Sequence, residues 1–364
     1  MPGDGRRRGR AVRHLRHRPA RAPRWPDPVP TAEAPHPLTG EGMPVTLGHE
    51  FAGVVAEIGP GVDDVRVGDR VVVEPCVVCG RCDACRQGRY NVCRTLGFVG
   101  LSGGGGFSRY VVAERRWVHP LGDLGTDVGA LIEPLAVAHH AVRLSGARPG
   151  HAAVVFGAGP VGLVTTAALT AAGVEQAVVV EPAEARGQKA AGAGAATVLD
   201  PRAVDVVETV DELTGGRGAD VTFECAGVDQ VLATAIRSTR AGGTCVDVAI
   251  WGHEARVAMN DLVFREVSVL GSLAYAHDHP ATIETAASGR VDPFRSPPGG
   301  SGSTASSRRV PASSSTTRSR TPRSWCSPDD DLTGSSPAPG PLLAQPTTTS
   351  HCRMVQPFTS PWTT

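Results

Sequence analysis

The sequence predicts an α/β protein built from a small β-barrel or sheet and a doubly wound parallel sheet. Three observations carry that prediction. Short β-branched runs alternate with Gly, Pro and Asp turns between Val45 and Val73; a strand–helix–strand rhythm runs from Ala152 to Gly271; and a glycine-rich turn, Gly157-Ala158-Gly159-Pro160-Val161-Gly162, sits at the first strand-to-helix junction of that rhythm.

Taken in order, residues 1–30 are rich in Arg and Pro and show no helical or alternating pattern, so they are expected to be disordered. The texture changes at about Thr31. Turn signals at Gly59-Pro60-Gly61 and Gly68-Asp69 bound short strands, and a Cys-rich loop follows from Cys76 to Cys93. Candidate strands of the second part are Ala153–Phe156, Ala177–Val180, Val221–Glu224, Thr244–Val248 and Val267–Leu270, separated by Ala- and Leu-rich helical stretches. After Phe294 the chain turns to Ser, Thr, Pro and Arg, and residues 295–364 read as a disordered tail. The division expected is 1–30, 31–145, 146–294 and 295–364.

With 364 residues the chain has room for two cores, and no apolar run is long enough to span a membrane. Arg6-Arg7-Arg8 is followed by no apolar stretch, so no export signal is expected and the cytoplasm is the expected location. The net charge of zero is a sum of unlike parts: +7 over residues 1–30, −11 over 31–294 and +4 over 295–364. Only Lys189 among the 36 basic residues is a lysine, and such an Arg excess suggests a GC-rich gene. The basic ends lack interleaved aromatics, so no nucleic-acid partner is expected.

Four of the nine cysteines form Cys79-x2-Cys82-x2-Cys85-x7-Cys93. Four thiolates suit a closed, tetrahedral, structural Zn²⁺ site, with Gly80, Gly88 and Asn91 letting a short loop wrap the ion. Disulfides, an iron–sulfur cluster and a catalytic thiol are the competing readings; a cytosolic chain disfavours the first. Cys76 reads as a bystander, and Cys225 and Cys245 as core residues of strands.

The glycine-rich turn has the context of a dinucleotide site. Gly157 permits the tight turn, Gly159 lets the backbone approach a pyrophosphate, and Gly162 allows close helix packing. Glu181 ends the next strand, 19 residues after Gly162, where a carboxylate would bind the adenosine ribose and repel a 2′-phosphate. NAD is therefore expected over NADP.

Gly48-His49-Glu50-Phe51-Ala52-Gly53 on its own is an unremarkable polar pair. Together with the Cys loop and the nucleotide turn, in this order, it resembles the zinc-dependent medium-chain alcohol dehydrogenases. Leu131-Ile132-Glu133-Pro134-Leu135 and His139-His140 look like the butanediol/sorbitol dehydrogenase branch, and the likeness covers roughly Thr31 to Phe294. It implies a GroES-like barrel domain carrying both zinc sites and a Rossmann domain binding NAD. It further implies a catalytic zinc held by a Cys near the amino terminus, by His49, and by Glu50 or Glu133. The implied reaction interconverts a secondary alcohol, a vicinal diol or polyol, with its ketone, in a homodimer or homotetramer. The plain reading of Glu133 is a helix-start carboxylate before Pro134. A zinc-independent quinone reductase of the superfamily would need neither His49 nor the Cys loop; a non-catalytic remnant that binds NAD and zinc is the other alternative.

One part of the family pattern is missing. No cysteine precedes Cys76, and the expected Gly-Ile-Cys-Gly-Thr-Asp segment is absent. Either the metal site is lost or the reading frame is displaced. Permitted GC-rich codons for Val12 to Arg21, read one base later, give Cys-Gly-Ile-Cys-Gly-Thr-Asp-Leu-His. Arg295 to Val310, shifted the other way, can read Val-Thr-Ala-Gly-Arg-Ile-Gly-Leu-Asp-Gly-Leu-Val-Glu-Glu-Gly, similar to the family's closing helix region. The sequence thus points to frame disruptions near both ends and to impaired activity of this polypeptide.

Overall fold

The structure, a computed structural model, describes residues 30–291 and 351–355. The expectations for residues 1–29 and for most of the 295–364 tail lie outside these.

The first domain begins with β1 (Ala52–Ile58) and β2 (Arg70–Val73), joined by the predicted Gly and Asp turns. A hairpin of β3 (Cys76–Val77) and β4 (Gly97–Phe98) encloses the cysteine lobe, which holds the single-turn α1 (Asp83–Arg86). β5 (Tyr110–Glu114) and β6 (Val118–Pro120) complete this run of strands. Alternation along β1, β2 and β5 turns Val55, Val71, Val73 and Val111 into one buried cluster with Phe51 and Val118, while Ala52 and Val72 on the opposite face are buried in another.

α2 (Thr126–Ser145) then carries the chain into the second domain. It is buried on nearly every side because it serves both domains. Leu131, Leu135, Ala138 and Val142 enter the core of the parallel sheet, while Ile132 packs with Ala52, Val72 and Leu121 of the barrel side. Glu133 lies well inside this helix rather than at its start, and Pro134 is an interior proline. That corrects the helix-start reading: the apolar run on both sides extends the helix through the proline.

The second domain alternates strands and helices: β7 (Ala152–Phe156), α3 (Pro160–Ala171), β8 (Gln176–Val180), α4 (Glu184–Gly192), β9 (Thr197–Leu199), α5 (Val206–Leu213), β10 (Ala219–Glu224), α6 (Asp229–Ser238), β11 (Thr239–Asp247), α7 (Met259–Val263) and β12 (Ser268–Gly271), followed by α8 (His279–Ala287). All its strand pairings are parallel, in the order β12-β11-β10-β7-β8-β9. Counted from β7 this is the doubly wound order, with the switch point where β7 lies between β8 and β10. Both faces are covered, so alternate residues of one strand feed different cores: Ala153 and Val155 one, Val154 and Phe156 the other.

The tail reading needs a correction at its end. His351–Val355 form β13, which lies between β5 and β1 in the barrel sheet and pairs antiparallel with both. Cys352 and Met354 are fully buried in the barrel core, and Arg353 reaches Glu57 at 2.9 Å and covers the Tyr110 ring. Five residues are too few to stand out in a Ser/Pro/Thr-rich context, although His-Cys-Arg-Met-Val does alternate. Among the described residues no helix is long and apolar enough to cross a membrane.

Candidate active site and metal centres

The cysteine lobe brings its four predicted ligands together. One sulfur from each of Cys79, Cys82, Cys85 and Cys93 lies within 4.8 Å of the others. The Cys82 amide donates to Cys79 Sγ and the Cys79 amide to Cys93 Sγ, both at 3.3 Å. Amide hydrogen bonds from Cys85 and Arg94 pull the Cys82 thiol down to about 6, and the Arg81 amide lowers Cys79, whereas loss of solvent pushes Cys85 up to about 12. Gly80 and Gly88 adopt left-handed backbone, which closes the loop. Four thiol donors with no carboxylate among them match a closed tetrahedral zinc centre.

A second, mixed set of donors forms where the barrel meets α2. Donor atoms of His49, Glu50 and Glu133 lie within 4.8 Å of one another. His49 and Glu50 lie one residue before β1, separated from it by Phe51, on a turn whose Gly48 has a φ of +103°. The glycine loop that follows β4 is packed onto this turn: a Cβ on Gly100 would stand 2.0 Å from the Gly48 carbonyl oxygen, and the Gly106 amide donates to that oxygen at 2.7 Å. Glu133 is buried, and the hydroxyl of Tyr275 donates to its Oε1 at 2.8 Å. Burial pushes the Glu133 carboxyl up to about 8; the Tyr275 bond opposes that rise and Glu50 adds to it. Burial likewise lowers His49, against the opposing charge of Glu50. Imidazole and carboxylate donors converging at a partly buried point suit a divalent cation of zinc's character, whose charge would return Glu133 to its ionised form. The donor set contains no thiol.

The nucleotide turn is built as the sequence suggests. Gly157, with a φ of +95°, leaves β7, and α3 starts at Pro160. A Cβ on Gly162 would stand 1.9 Å from the Gly157 carbonyl oxygen, so that glycine is demanded by packing. A Cβ on Gly159 would meet nothing within 4 Å, so its small size serves what approaches from outside. Glu181 directly follows β8: Oε2 accepts from the Ala158 amide at 2.9 Å, and Oε1 from the Ala183 amide at 2.8 Å and from Arg186 at 2.7 Å. Burial alone would raise this carboxyl, but Arg186 and the two amides outweigh it and hold it low, hence ionised. Phe156, Gly157, Val180, Glu181 and Arg186 line a crevice of about 1190 Å³ that continues toward α5 and α6.

Sequence reasoning missed the buried polar residues that tie the domains together. Asp278 pairs with His139 Nδ1 at 3.0 Å, His140 Nδ1 at 2.8 Å and Arg143 Nε at 3.0 Å. These bonds overcome its burial and hold it far below the usual carboxylate range. Tyr275 is the other omission. It is separated from Glu133 by 142 residues, and its only sequence signal is the scarcity of tyrosine, three in the chain.

A parallel nucleotide-type sheet joined to a barrel with a four-cysteine lobe and a His/Glu donor cluster defines a metal-dependent dehydrogenase. Residues 31–123 match the alcohol dehydrogenase GroES-like domain family and residues 160–288 the zinc-binding dehydrogenase family. The (R,R)-butanediol dehydrogenase of Neisseria gonorrhoeae is 44% identical over 271 residues, 73% of this chain and 76% of that one. The crystal structure of 2R,3R-butanediol dehydrogenase from Bacillus subtilis is 45% identical with a TM-score of 0.68, covering 73% and 75% of the two chains. A zinc-binding dehydrogenase from Sinorhizobium meliloti 1021, bound to NADP, is 34% identical with a TM-score of 0.66, covering 73% and 76%. The chain belongs to the zinc-dependent medium-chain alcohol dehydrogenases, on the butanediol-dehydrogenase-like side of the family, and is a dehydrogenase of the class acting on CH–OH groups.

Proposed function

We propose that the protein is an NAD-dependent dehydrogenase that interconverts a small vicinal diol, or a related polyol, with its hydroxyketone. The observation that carries this is the convergence of His49, Glu50 and Glu133. The similarity to (R,R)-butanediol dehydrogenases supports the diol assignment. Cys79, Cys82, Cys85 and Cys93 hold a structural zinc, and His49, Glu50 and Glu133 hold the catalytic one. When bound there, zinc supplies a Lewis acid that lowers the pKa of the substrate hydroxyl. The turn from Gly157 to Gly162 offers backbone N–H groups to the cofactor pyrophosphate, and Glu181 accepts from the adenosine ribose. Because Arg186 is engaged by Glu181, its charge is not free to receive a 2′-phosphate, which favours NAD.

This polypeptide performs that reaction poorly. No thiolate can join the mixed donor set from residues 1–75, because they contain no cysteine. As it stands the chain behaves as a protein that retains structural zinc and NAD binding. The test is metal analysis beside a butanediol assay. About one tightly held zinc per chain is expected, the mixed site without its thiolate taking a second metal ion only weakly and from added excess, with negligible NAD reduction. When residues 12–21 are replaced by the one-base-shifted reading, a second zinc and turnover should appear. Ordinary dehydrogenase rates from the unaltered chain would refute the impairment, and no turnover in the two-zinc chain would refute the reaction.

The oligomer is proposed from a surface. β12 is the edge of the parallel sheet and all four of its residues are exposed. Nearby Phe264 and Ile250 are 80% and 83% exposed. An unprotected edge beside apolar side chains suits pairing with a second copy, giving a homodimer. The proposed substrate is a small molecule, and the proposed location is the cytoplasm.

A further inference from the structure

The segment from Leu273 to Asp278 crosses from the nucleotide domain onto the cysteine lobe. Asn91 Nδ2 donates to the Leu273 carbonyl at 2.8 Å, the His277 amide donates to the Tyr90 hydroxyl at 2.6 Å, and the Ala276 amide donates to Asp278 at 2.9 Å. The His277 ring stands edge-on to Tyr90 with centroids 4.8 Å apart. Ala274 and His277 adopt φ values of 47° and 65°, a left-handed backbone that non-glycine residues keep only where the surroundings impose it. Between them Tyr275 is fully buried, packed with Cys76, Tyr90, Cys93, Leu96 and Ala136 and edge-on to His279 at 4.6 Å.

All of this anchoring delivers one hydroxyl to one carboxylate. Among the described residues, the Tyr275 hydroxyl is the side-chain hydrogen-bond partner of Glu133. A carboxylate with one oxygen bonded has fewer orientations open to it, so its second oxygen is aimed. Partners of this kind around metal ligands are worth about 10–100-fold in metal affinity.

We propose that Tyr275 is a positioning residue for the mixed-donor site: it aims Glu133 toward His49 and Glu50, and the cysteine lobe fixes Tyr275 in place to do so. The proposal rests on the assignment of Glu133 to that metal set. It makes the lobe more than a stabilising appendage, because the lobe holds the strap that orients a carboxylate of the other site.

The test uses the full chain with zinc in the cysteine lobe, titrated with Co²⁺ and followed by the d–d absorption of the mixed site. A parallel sample with Co²⁺ in the lobe reports on the fold through thiolate charge-transfer bands. Tyr275→Phe should weaken Co²⁺ at the mixed site about tenfold with the thiolate bands unchanged. Glu133→Gln should weaken it as well, and adding Tyr275→Phe to Glu133→Gln should cost nothing further. An unchanged affinity in Tyr275→Phe, while Glu133→Gln weakens binding, overturns the positioning role alone. An equal loss in the Glu133→Gln background, or loss of the thiolate bands, makes Tyr275 a packing residue and also overturns it. No effect of Glu133→Gln, or no Co²⁺ bound by the parent beyond the lobe, removes the metal-site assignment itself and the proposal with it.

Discussion

A Cβ placed on Gly53 would stand 2.7 Å from the carbonyl oxygen of Val355, so this glycine in β1 makes room for the backbone of β13. Gly59 does the same against His351, whose carbonyl oxygen would lie 3.1 Å from its Cβ. The barrel is therefore shaped around a strand that arrives from the far end of the chain. Ending the chain at residue 349 should strip β1 and β5 of their shared partner and expose the core around Met354. Emptying one buried Met position costs about 2–5 kcal/mol, so the truncated chain should unfold at a clearly lower urea concentration. An unchanged midpoint would mean that β13 is a passenger.

The same strand shows what was legible in the sequence. Five of the six strands of the parallel sheet were readable from short apolar-rich runs, although β11 starts five residues earlier than its run, whereas β9, three residues long, carries too little pattern to read. The nucleotide turn was readable because its three glycines sit at the first strand-to-helix junction. The cysteine set was readable from spacing alone, and the His49–Glu50 pair only from its company. β13 was not, since five alternating residues after a long Ser/Pro-rich stretch carry too little pattern. Tyr275 and Asp278 were not, because what matters about them is a partner more than 130 residues away. Glu133 was found but misplaced in its helix, since a proline following it reads locally as a helix start and only the apolar residues on both sides say otherwise.

β13 limits where the reading frame can be displaced. If residues 295–310 are read out of frame while His351–Val355 fit the barrel, the frame must be restored between Val310 and His351. Sequencing the gene should therefore show codons for Val12–Arg21 and Arg295–Val310 compatible with the shifted readings, and a compensating change before His351. Incompatible codons at either place would refute displacement there.

Cys82→Ser should remove the zinc that the lobe holds, because the serine hydroxyl does not supply a thiolate at neutral pH. Metal content should fall from about one zinc per chain to near zero. The loss should also loosen the strap through Asn91 and Tyr90, visible as faster amide exchange at Leu273–Asp278. Retained zinc would show that the four thiols are not its ligands.

Glu181→Ser should shift the cofactor balance. The carboxylate bonds Arg186 and the Ala158 amide, and its charge is what a 2′-phosphate would meet. Its removal should weaken NADH about tenfold, the scale of one charge-assisted hydrogen bond, and free Arg186 to attract NADPH. Fluorescence titration with both cofactors measures the ratio; an unchanged ratio would remove Glu181 as its determinant.

His279 should make the fold lose stability in mild acid. The ring is fully buried, stacked on His119 with centroids 5.3 Å apart, with Nδ1 3.5 Å from Glu74 Oε2, next to Asp278 and edge-on to Tyr275. Burial lowers its pKa from 6.5 to about 4; Glu74 and Asp278 oppose that and His119 adds to it. The unfolded chain therefore binds the proton at a higher pH than the folded one. The stability associated with neutral His279 is fully present above pH 6.5 and is lost as the pH falls toward about 4, with no further loss from this group below that. A shift of that size is linked to about 3 kcal/mol of stability. Urea unfolding of the parent and of His279→Leu, measured at several pH values across that window, isolates the contribution, because acid release of zinc from the lobe affects both chains alike. The parent should lose stability more steeply than the variant as the pH falls, and parallel curves would show that His279 does not titrate out of step with the unfolded chain.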